Sequence, residues 1–496
     1  MKWLDRWRQI KNKDETISEL FGRLSQSEDF VSRDHNLKKM TVRISYIKPI
    51  IDMDALHRDI LPALIQSDGH SLEDLMRTIP FAHIIRTSDV DEIKKNILTG
   101  SIYIQENKED PKGILIEAPV QKDRPISPPE VETSVVGPKE SFVDTLDTNI
   151  YLLRKRLPLP NLKVKEVVVG KVTKTKVAIV YIEGIANKEN VNTVTQRIKN
   201  IEYDQIIDSS FIEQMISDDY HSPFPQMMDT ERPDRTVSGL VEGKVVVLVD
   251  GSSFALLGPT TIVEFFSAFD DYALNWYLAS FLRMVRLASV AFSVLASSFY
   301  VAVLTYHYQI IPKNLMATLI SSRMGIPFPP IIEALFMELT IEILREAGVR
   351  LPTKVGQTIG IVGGIVIGTA AVDASLTSNV LLILVAMGAL ASFTTPNYKM
   401  NNTVRLIRFP FLIAAGFWGL FGIAVAFGLF VAHLVKLKSL DRPYIEPFYP
   451  FRPRDLKDAF FRLPYTLQKM RPMQLRPEDP GRMNGPRVLK KRDIDE

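Results

Sequence analysis

The chain has no cysteine among its 496 residues, which excludes disulfides, thiolate metal sites and thiol nucleophiles together. Its seven histidines are scattered, with no pair at metal-ligand spacing. A formal charge of +3 is too small for a nucleic-acid footprint, and the first 280 residues carry no basic stripe interleaved with aromatics. Nucleic acid is therefore not an expected partner. The opening MKWLDRWRQIKNKDETISEL alternates apolar and charged residues and lacks the apolar core of a signal peptide. What precedes the first long apolar run is expected in the cytosol.

Two local patterns resemble chemistry and fail on inspection. VVVGKVTKTK around Gly170 and Lys171 lacks the second glycine and the Gly-Lys-Thr of a phosphate loop. Asp250-Gly251-Ser252-Ser253 lies between apolar strands, where Asp-Gly marks a hairpin turn rather than a nucleophile. With no catalytic constellation left, the expectation is a protein that is not an enzyme, with no cofactor and no metal.

What the chain does have is apolar residues concentrated in its second half. Overall, 46% hydrophobic and 24% charged residues make an average soluble composition, yet after Asp271 the runs 284–306, 357–372, 376–394 and 410–434 approach the length that crosses about 30 Å of hydrocarbon. The expected fold class is an α/β cytosolic N-terminal region of two small subdomains followed by an all-α polytopic membrane domain. Residues 1–40 read as a leader, with Trp3, Leu4, Trp7 and Ile10 at helical spacing. Residues 41–117 form the first α/β subdomain, in the order strand, helix, helix, strand, helix, strand, strand. Residues 118–139, with five prolines, form a linker. Residues 140–270 form the second subdomain, 271–438 a transmembrane domain of four or five spans, and 439–496 a basic cytosolic tail.

The two subdomains read as a diverged repeat. Ile44-Ser45-Tyr46-Ile47, Ile50 and Asp52 before a helix echo Ile179-Val180-Tyr181-Ile182, Ile185 and Asn187 before another. Any strand running into a helix capped by Asp or Asn carries the same pattern.

Arg283 and Arg286 open the first apolar run. From Lys436 to the end there are 15 Lys or Arg against 9 Asp or Glu. Cationic flanks stay inside, so the number of crossings is expected to be even, and four is the count. The stretch 327–347, which contains Glu333, Glu338 and Glu342, strains that count as a re-entrant segment or a fifth span. Carboxylates at membrane depth are costly and face protein, water or an ion path. For Glu338 or Glu342 the expected role is contact with permeating cations or closure through Arg345, Arg350 or Lys354, against an alternative in which the acids lie among headgroups.

Gly356, Gly360, Gly364 and Gly368 recur every four residues, a bare stripe for close helix packing within or between subunits. Val362 and Val366, flanked by Gln357 and Thr369, fall away from that stripe and are the candidate pore-lining positions of a narrow apolar gate.

Several blocks together resemble the A subunits of GerA-type spore germinant receptors. They are Ser222-Pro223-Phe224-Pro225-Gln226, Thr230-Glu231-Arg232-Pro233-Asp234, EGKVVVLVDG, Asp270-Asp271-Tyr272, GIPFPPIIEALFMELTIEILREAGVRLP and PFYPFRPRDLKDAFFRLP. The resemblance spans residues 40 to 470 and departs at Val136-Gly137-Pro138, where relatives tend to carry Arg-Gly-Pro. It implies a subunit of the spore inner membrane that works with a transporter-like B subunit and a lipoprotein C subunit. It also implies a pentameric, nutrient-gated cation channel that triggers germination. An ion left bare in hydrocarbon is prohibitively unstable, and a closed ring of copies encloses a wet path that one subunit does not. The competing expectations are a non-conducting membrane scaffold, an active transporter and a paralogous sporulation membrane protein of the SpoVAF type.

Overall fold

The computed structural model describes residues 15–67, 71–106, 111–120, 129, 131–132, 137–351, 364 and 366–482. The chain divides into two compact units. Met1–Ser217, Met227–Pro259 and Gln468–Glu496 make one; Asp218–Gln226 and Thr260–Leu467 make the other.

The first unit is α/β and holds two sheets. Strands β1 (Phe30–Asn36), β2 (Thr41–Ile47), β3 (Ile84–Thr87), β4 (Ser101–Gln105) and β5 (Gly113–Glu117) pair in the order β1-β2-β4-β5-β3, antiparallel throughout. The alternation in TVRISYI turns Val42 and Ile44 into the core, where Ile93 and Ile97 of helix α1 (Val90–Thr99) meet them. Strands β6 (Leu162–Val169), β7 (Thr175–Ile182), β8 (Met228–Thr230), β9 (Val245–Val249) and β10 (Ala255–Gly258) form the second sheet in the order β6-β7-β9-β10-β8, again antiparallel throughout. Helices α2 (Leu146–Arg156), α3 (Lys188–Lys199) and α4 (Pro233–Glu242) accompany it.

Counted within each sheet, the strand order is the same, so the two subdomains are a structural repeat. The echo in the sequence falls on equivalent places. Asp52 accepts the amides of Asp54 and Ala55 at 3.0 Å, and Asn187 accepts that of Glu189 at 2.8 Å, each capping the helix after the second strand of its sheet. Gly100 and Gly243 close α1 and α4 with the same left-handed φ of +105°, a conformation that glycine adopts without penalty.

A buried ion pair joins the repeats. Arg154 on α2 donates from Nε and Nη2 to the two carboxylate oxygens of Asp29, both at 2.8 Å, and from Nη2 to Ser27 Oγ at 3.0 Å. Glu28 N–H adds a backbone bond to Val164 O at 3.0 Å, so residue 28 docks on the outer edge of the second sheet. Nearby on β6, burial pushes the Lys163 ammonium below its ordinary value although Glu183 lies 3.4 Å away.

The second unit is helical. Its elements include α5 (Trp276–Thr305), α6 (Pro330–Arg350), a short helix at 366–373, α7 (Asn379–Ser392) and α8 (Tyr398–Lys436). Among the described residues, α5 and α8 are long and apolar enough to cross a membrane by length and composition.

Hydropathy reads 410–434 as one continuous run, but the backbone turns inside it. Gly419 has φ +60° and ψ −138°, and the rings of Phe411 and Phe430 lie 6.2 Å apart. Nineteen residues of straight helix would separate those two residues by about 28 Å. The helix is therefore a hairpin with arms 398–418 and 420–436, each about one bilayer thickness long. Gly422 sits so close to the carbonyl of Ala414 that a Cβ would collide with it.

Contacts fix the directions of the other helices. Tyr306, after the end of α5, donates to Phe417 O at 2.8 Å beside the hairpin tip. Along α6, Ile331 meets Gly416, Glu338 meets Arg408 and Glu342 meets Arg405, so α6 runs antiparallel to the first arm. Both hairpin ends thus lie at the end of the unit where α5 begins.

Candidate functional site

Three carboxylates of α6 form a ladder of ion pairs inside the helical unit. Glu338 accepts from Ser297 Oγ at 2.6 Å and from Arg408, and both charged side chains are 1% exposed. Glu342, one turn later, takes Arg405 Nε at 3.0 Å, and Arg405 also donates to Asn402 Oδ1 at 2.9 Å. Glu333 accepts the Ser378 amide at 2.6 Å and Thr377 Oγ1 at 3.3 Å, with Arg323 at 3.5 Å; Tyr300 and Ser378 exchange a hydroxyl bond at 2.9 Å.

Periodicity places these groups. Residues 338 and 342 share one face of α6, and 405 and 408 share one face of the first hairpin arm, so two acids meet two arginines across one helix contact. Glu333 and Glu338 are buried and Glu342 is partly buried; a buried carboxylate is tolerable when paired and hydrogen-bonded, and each of the three is both. The ladder pins the first arm to α6 and α6 to the start of α7.

The partners differ from those expected. Arg345 lies over the Phe393 ring at 4.0 Å and Arg350 pairs with Glu346 at 2.7 Å, while Lys354 falls outside the described residues. The arginines that meet Glu342 and Glu338 sit 63 and 70 residues further on, in NNTVRLIRFP, while Arg323 near Glu333 precedes the helix. Their signal in the sequence was an i, i+3 cation pair opening an apolar run.

At the base of the hairpin, residues 222–226 form a plug. Ser222 Oγ and His433 Nε2 are 2.8 Å apart, Thr403 Oγ1 donates to Pro223 O at 2.5 Å, and the Phe224 ring lies 5.8 Å from that of Phe430. Tyr444 OH donates to Pro225 O at 2.8 Å, and Ser439 Oγ donates to Gln226 O at 2.5 Å. The plug touches both arms where they enter and leave. Beside it an apolar groove of about 410 Å³ runs between the arms, lined by Phe224, Phe411, Trp418, Val425 and Phe430 among others.

The glycine stripe falls partly within the described residues. Gly368 packs against Leu382 of α7, where a Cβ would come within 3.6 Å; Gly364 faces open space. Val366 is 56% exposed and Thr369 is exposed, its hydroxyl 3.3 Å from Val366 O. Gly356, Gln357, Gly360 and Val362 lie outside the described residues.

The sequence profile described as "Bacillus/Clostridium GerA spore germination protein" matches residues 15–474. The chain belongs to the GerA family. It is 45% identical to spore germination protein GerQA of Bacillus cereus over 97% of this chain and 96% of that protein. To spore germination protein GerIA of Bacillus cereus it is 46% identical, over 94% of this chain and 70% of that protein. The crystal structure of the N-terminal domain of the A subunit of the Bacillus megaterium spore germinant receptor GerK3 aligns over 48% of this chain and 91% of that one, at 27% identity and a TM-score of 0.38.

Two of the blocks that resembled this family have local structural roles. Arg232 and Asp234 form a two-pronged pair at 3.1 and 2.8 Å that opens α4. Asp271 receives Arg286 at 3.1 Å and lies 3.7 Å from Arg283, tying down the start of α5.

Proposed function

We propose that this GerA-family chain is the A subunit of a spore nutrient receptor, a multi-pass protein of the spore inner membrane whose copies form a cation-conducting ring, pentameric in the reading above. The observation that carries this is the paired-acid ladder. It holds α6, α7 and the hairpin together from within, so the apolar outer faces are left to meet lipid and neighbouring copies. Buried ion pairs stabilise such a unit only while both partners remain, which makes the ladder suited to a fixed frame around which other helices move. Antiparallel α5 and α6 and a hairpin that crosses twice favour an even number of crossings, with the α/β unit and Lys436 on the cytosolic side.

Val366 and Thr369, exposed on one subunit, are the positions in the described helix that would face the axis, in register with Val362 and Gln357. Gly356, Gly360, Gly364 and Gly368 would set the approach of helices around it. Conduction, with no catalytic step, is the activity assigned. The transporter-like B subunit would sense nutrient, and the lipoprotein C subunit would complete the receptor.

The test is single-channel recording of the purified chain with its partner subunits in planar bilayers, together with thiol labelling of single cysteines along 357–372. Nutrient-dependent cation currents and a labelled stripe that includes 362 and 366 are the expected results. Silence with no labelled stripe would favour the non-conducting scaffold.

A further inference from the structure

The two repeats differ in how they are closed. In the first, the chain leaves β5 and at once completes the fold. Val120 N–H donates to Ile50 O at 3.0 Å, Asp52 N–H donates to Ala118 O at 2.8 Å, and Pro119 covers Gly100, where a Cβ would lie 3.0 Å from Pro119 Cβ. In the second, the chain leaves β10 at Pro259 and enters the helical unit. The closing residues come instead from 476–478.

The equivalence holds position by position. Glu478 N–H donates to Ile185 O at 3.0 Å, as Val120 does to Ile50. Asn187 Nδ2 donates to Arg476 O at 2.8 Å, where Asp52 N–H meets Ala118. Pro477 covers Gly243 as Pro119 covers Gly100, with a Cβ on Gly243 lying 3.5 Å from Pro477 Cβ. Further holds flank this core: Asn190 Nδ2 donates to Leu475 O at 3.3 Å, Leu475 is buried, and Arg471 Nε donates to Val241 O at 2.8 Å.

We propose that the second repeat carries a peptide-binding groove, framed by Ile185, Asn187, Asn190 and Gly243, whose ligand is the segment 471–478 docked as a separable strap. Two side-chain amides grip main-chain carbonyls, which any extended peptide supplies. The buried Leu475 and the proline fitted over a bare glycine supply the selectivity. About 200 residues of helical unit separate the groove from its ligand along the chain, so the strap reaches the groove as a tethered ligand, favoured by effective concentration rather than by direct succession as in the first repeat.

To test this, a protease site is introduced between residues 467 and 468 of the full-length chain in detergent, the chain is cut, and exchange with a fluorescent synthetic peptide of residues 468–482 is followed by anisotropy. The cut chain is expected to release its strap on dilution and to bind the labelled peptide. Peptides carrying Leu475→Ser or Pro477→Ala are expected to compete at least about tenfold more weakly, the effect of losing one good contact. Because these changes are in the peptide, they leave the folding of the chain untouched. A strap that stays with the cut chain and admits no label would be a permanent element, and the proposal would fall. It would fall equally if the released groove bound no peptide, or bound both altered peptides as tightly as the native one.

Discussion

Removing one charge from the Glu338–Arg408 pair leaves the other buried without its counter-ion. Both side chains are 1% exposed, and the carboxylate also accepts the Ser297 hydroxyl at 2.6 Å. Glu338→Gln keeps size and most of the hydrogen bonding, so the loss is electrostatic. Stranding a buried charge costs about 3 to 5 kcal/mol. That is a shift of at least about a hundredfold in the unfolding equilibrium at roughly 1.4 kcal/mol per factor of ten. Arg408→Gln should cost a similar amount. The double variant Glu338→Gln/Arg408→Gln strands nothing and should recover much of the loss, giving a coupling of about 2 kcal/mol or more, far outside the additivity of independent sites. Reversible unfolding of the full-length chain in bicelles, read by steric trapping, measures all four corners of the cycle. Additivity within about 0.5 kcal/mol would show that the pair does not hold the first hairpin arm to α6.

The hairpin itself is open to a direct check, because the chain has no native thiol: Phe411→Cys with Phe430→Cys should crosslink with a short bifunctional reagent, whereas a straight helix would hold the two about 28 Å apart and give no product. In the α/β unit, Asp29→Asn should lower stability by about 3 kcal/mol and increase proteolysis between the repeats, since it strands Arg154; an unchanged digestion pattern would remove the pair from that role. The depressed Lys163 ammonium gives a pH dependence. The folded state gives up this proton before the unfolded state does, so stability should rise with pH between the lowered value and the ordinary 10.5, and Lys163→Met should abolish that rise in chemical denaturation across the alkaline range.

Much of the α/β unit was legible because its elements obey simple periods. The strand and helix order of 41–117 matches β2 to β5 and their helices, and the caps Asp52 and Asn187 marked the repeat that strand order confirms. Strand β1 was missed inside the leader because FVSRDHN is an edge strand with only Phe30 buried, so it lacks apolar alternation. Strand β8 has three residues, too few to show a period. The break at Gly419 escaped because hydropathy sums composition and is blind to direction; GFWGLFG turns without one polar residue to mark the turn. The ladder was half legible. Acids inside an apolar helix stand out by their cost, but the arginines of Glu342 and Glu338 are 63 and 70 positions away and read as a cationic loop until the helices are brought together.

The closing strap sets an order of events during synthesis. When Gly258 leaves the ribosome, every strand of the second sheet exists, but the residues that cover Gly243 are about 200 codons from being made. At about 5 to 20 residues per second the repeat waits roughly 10 to 40 s, while the whole helical unit is translated. A nascent chain stalled anywhere in that interval carries an unclosed α/β unit, with Ile185 O and Asn187 lacking the partners that residues 476–478 supply. The α/β unit is thus finished only by chains that have been read through the helical unit, and an interrupted product differs from a complete one on the surface that quality-control proteases meet.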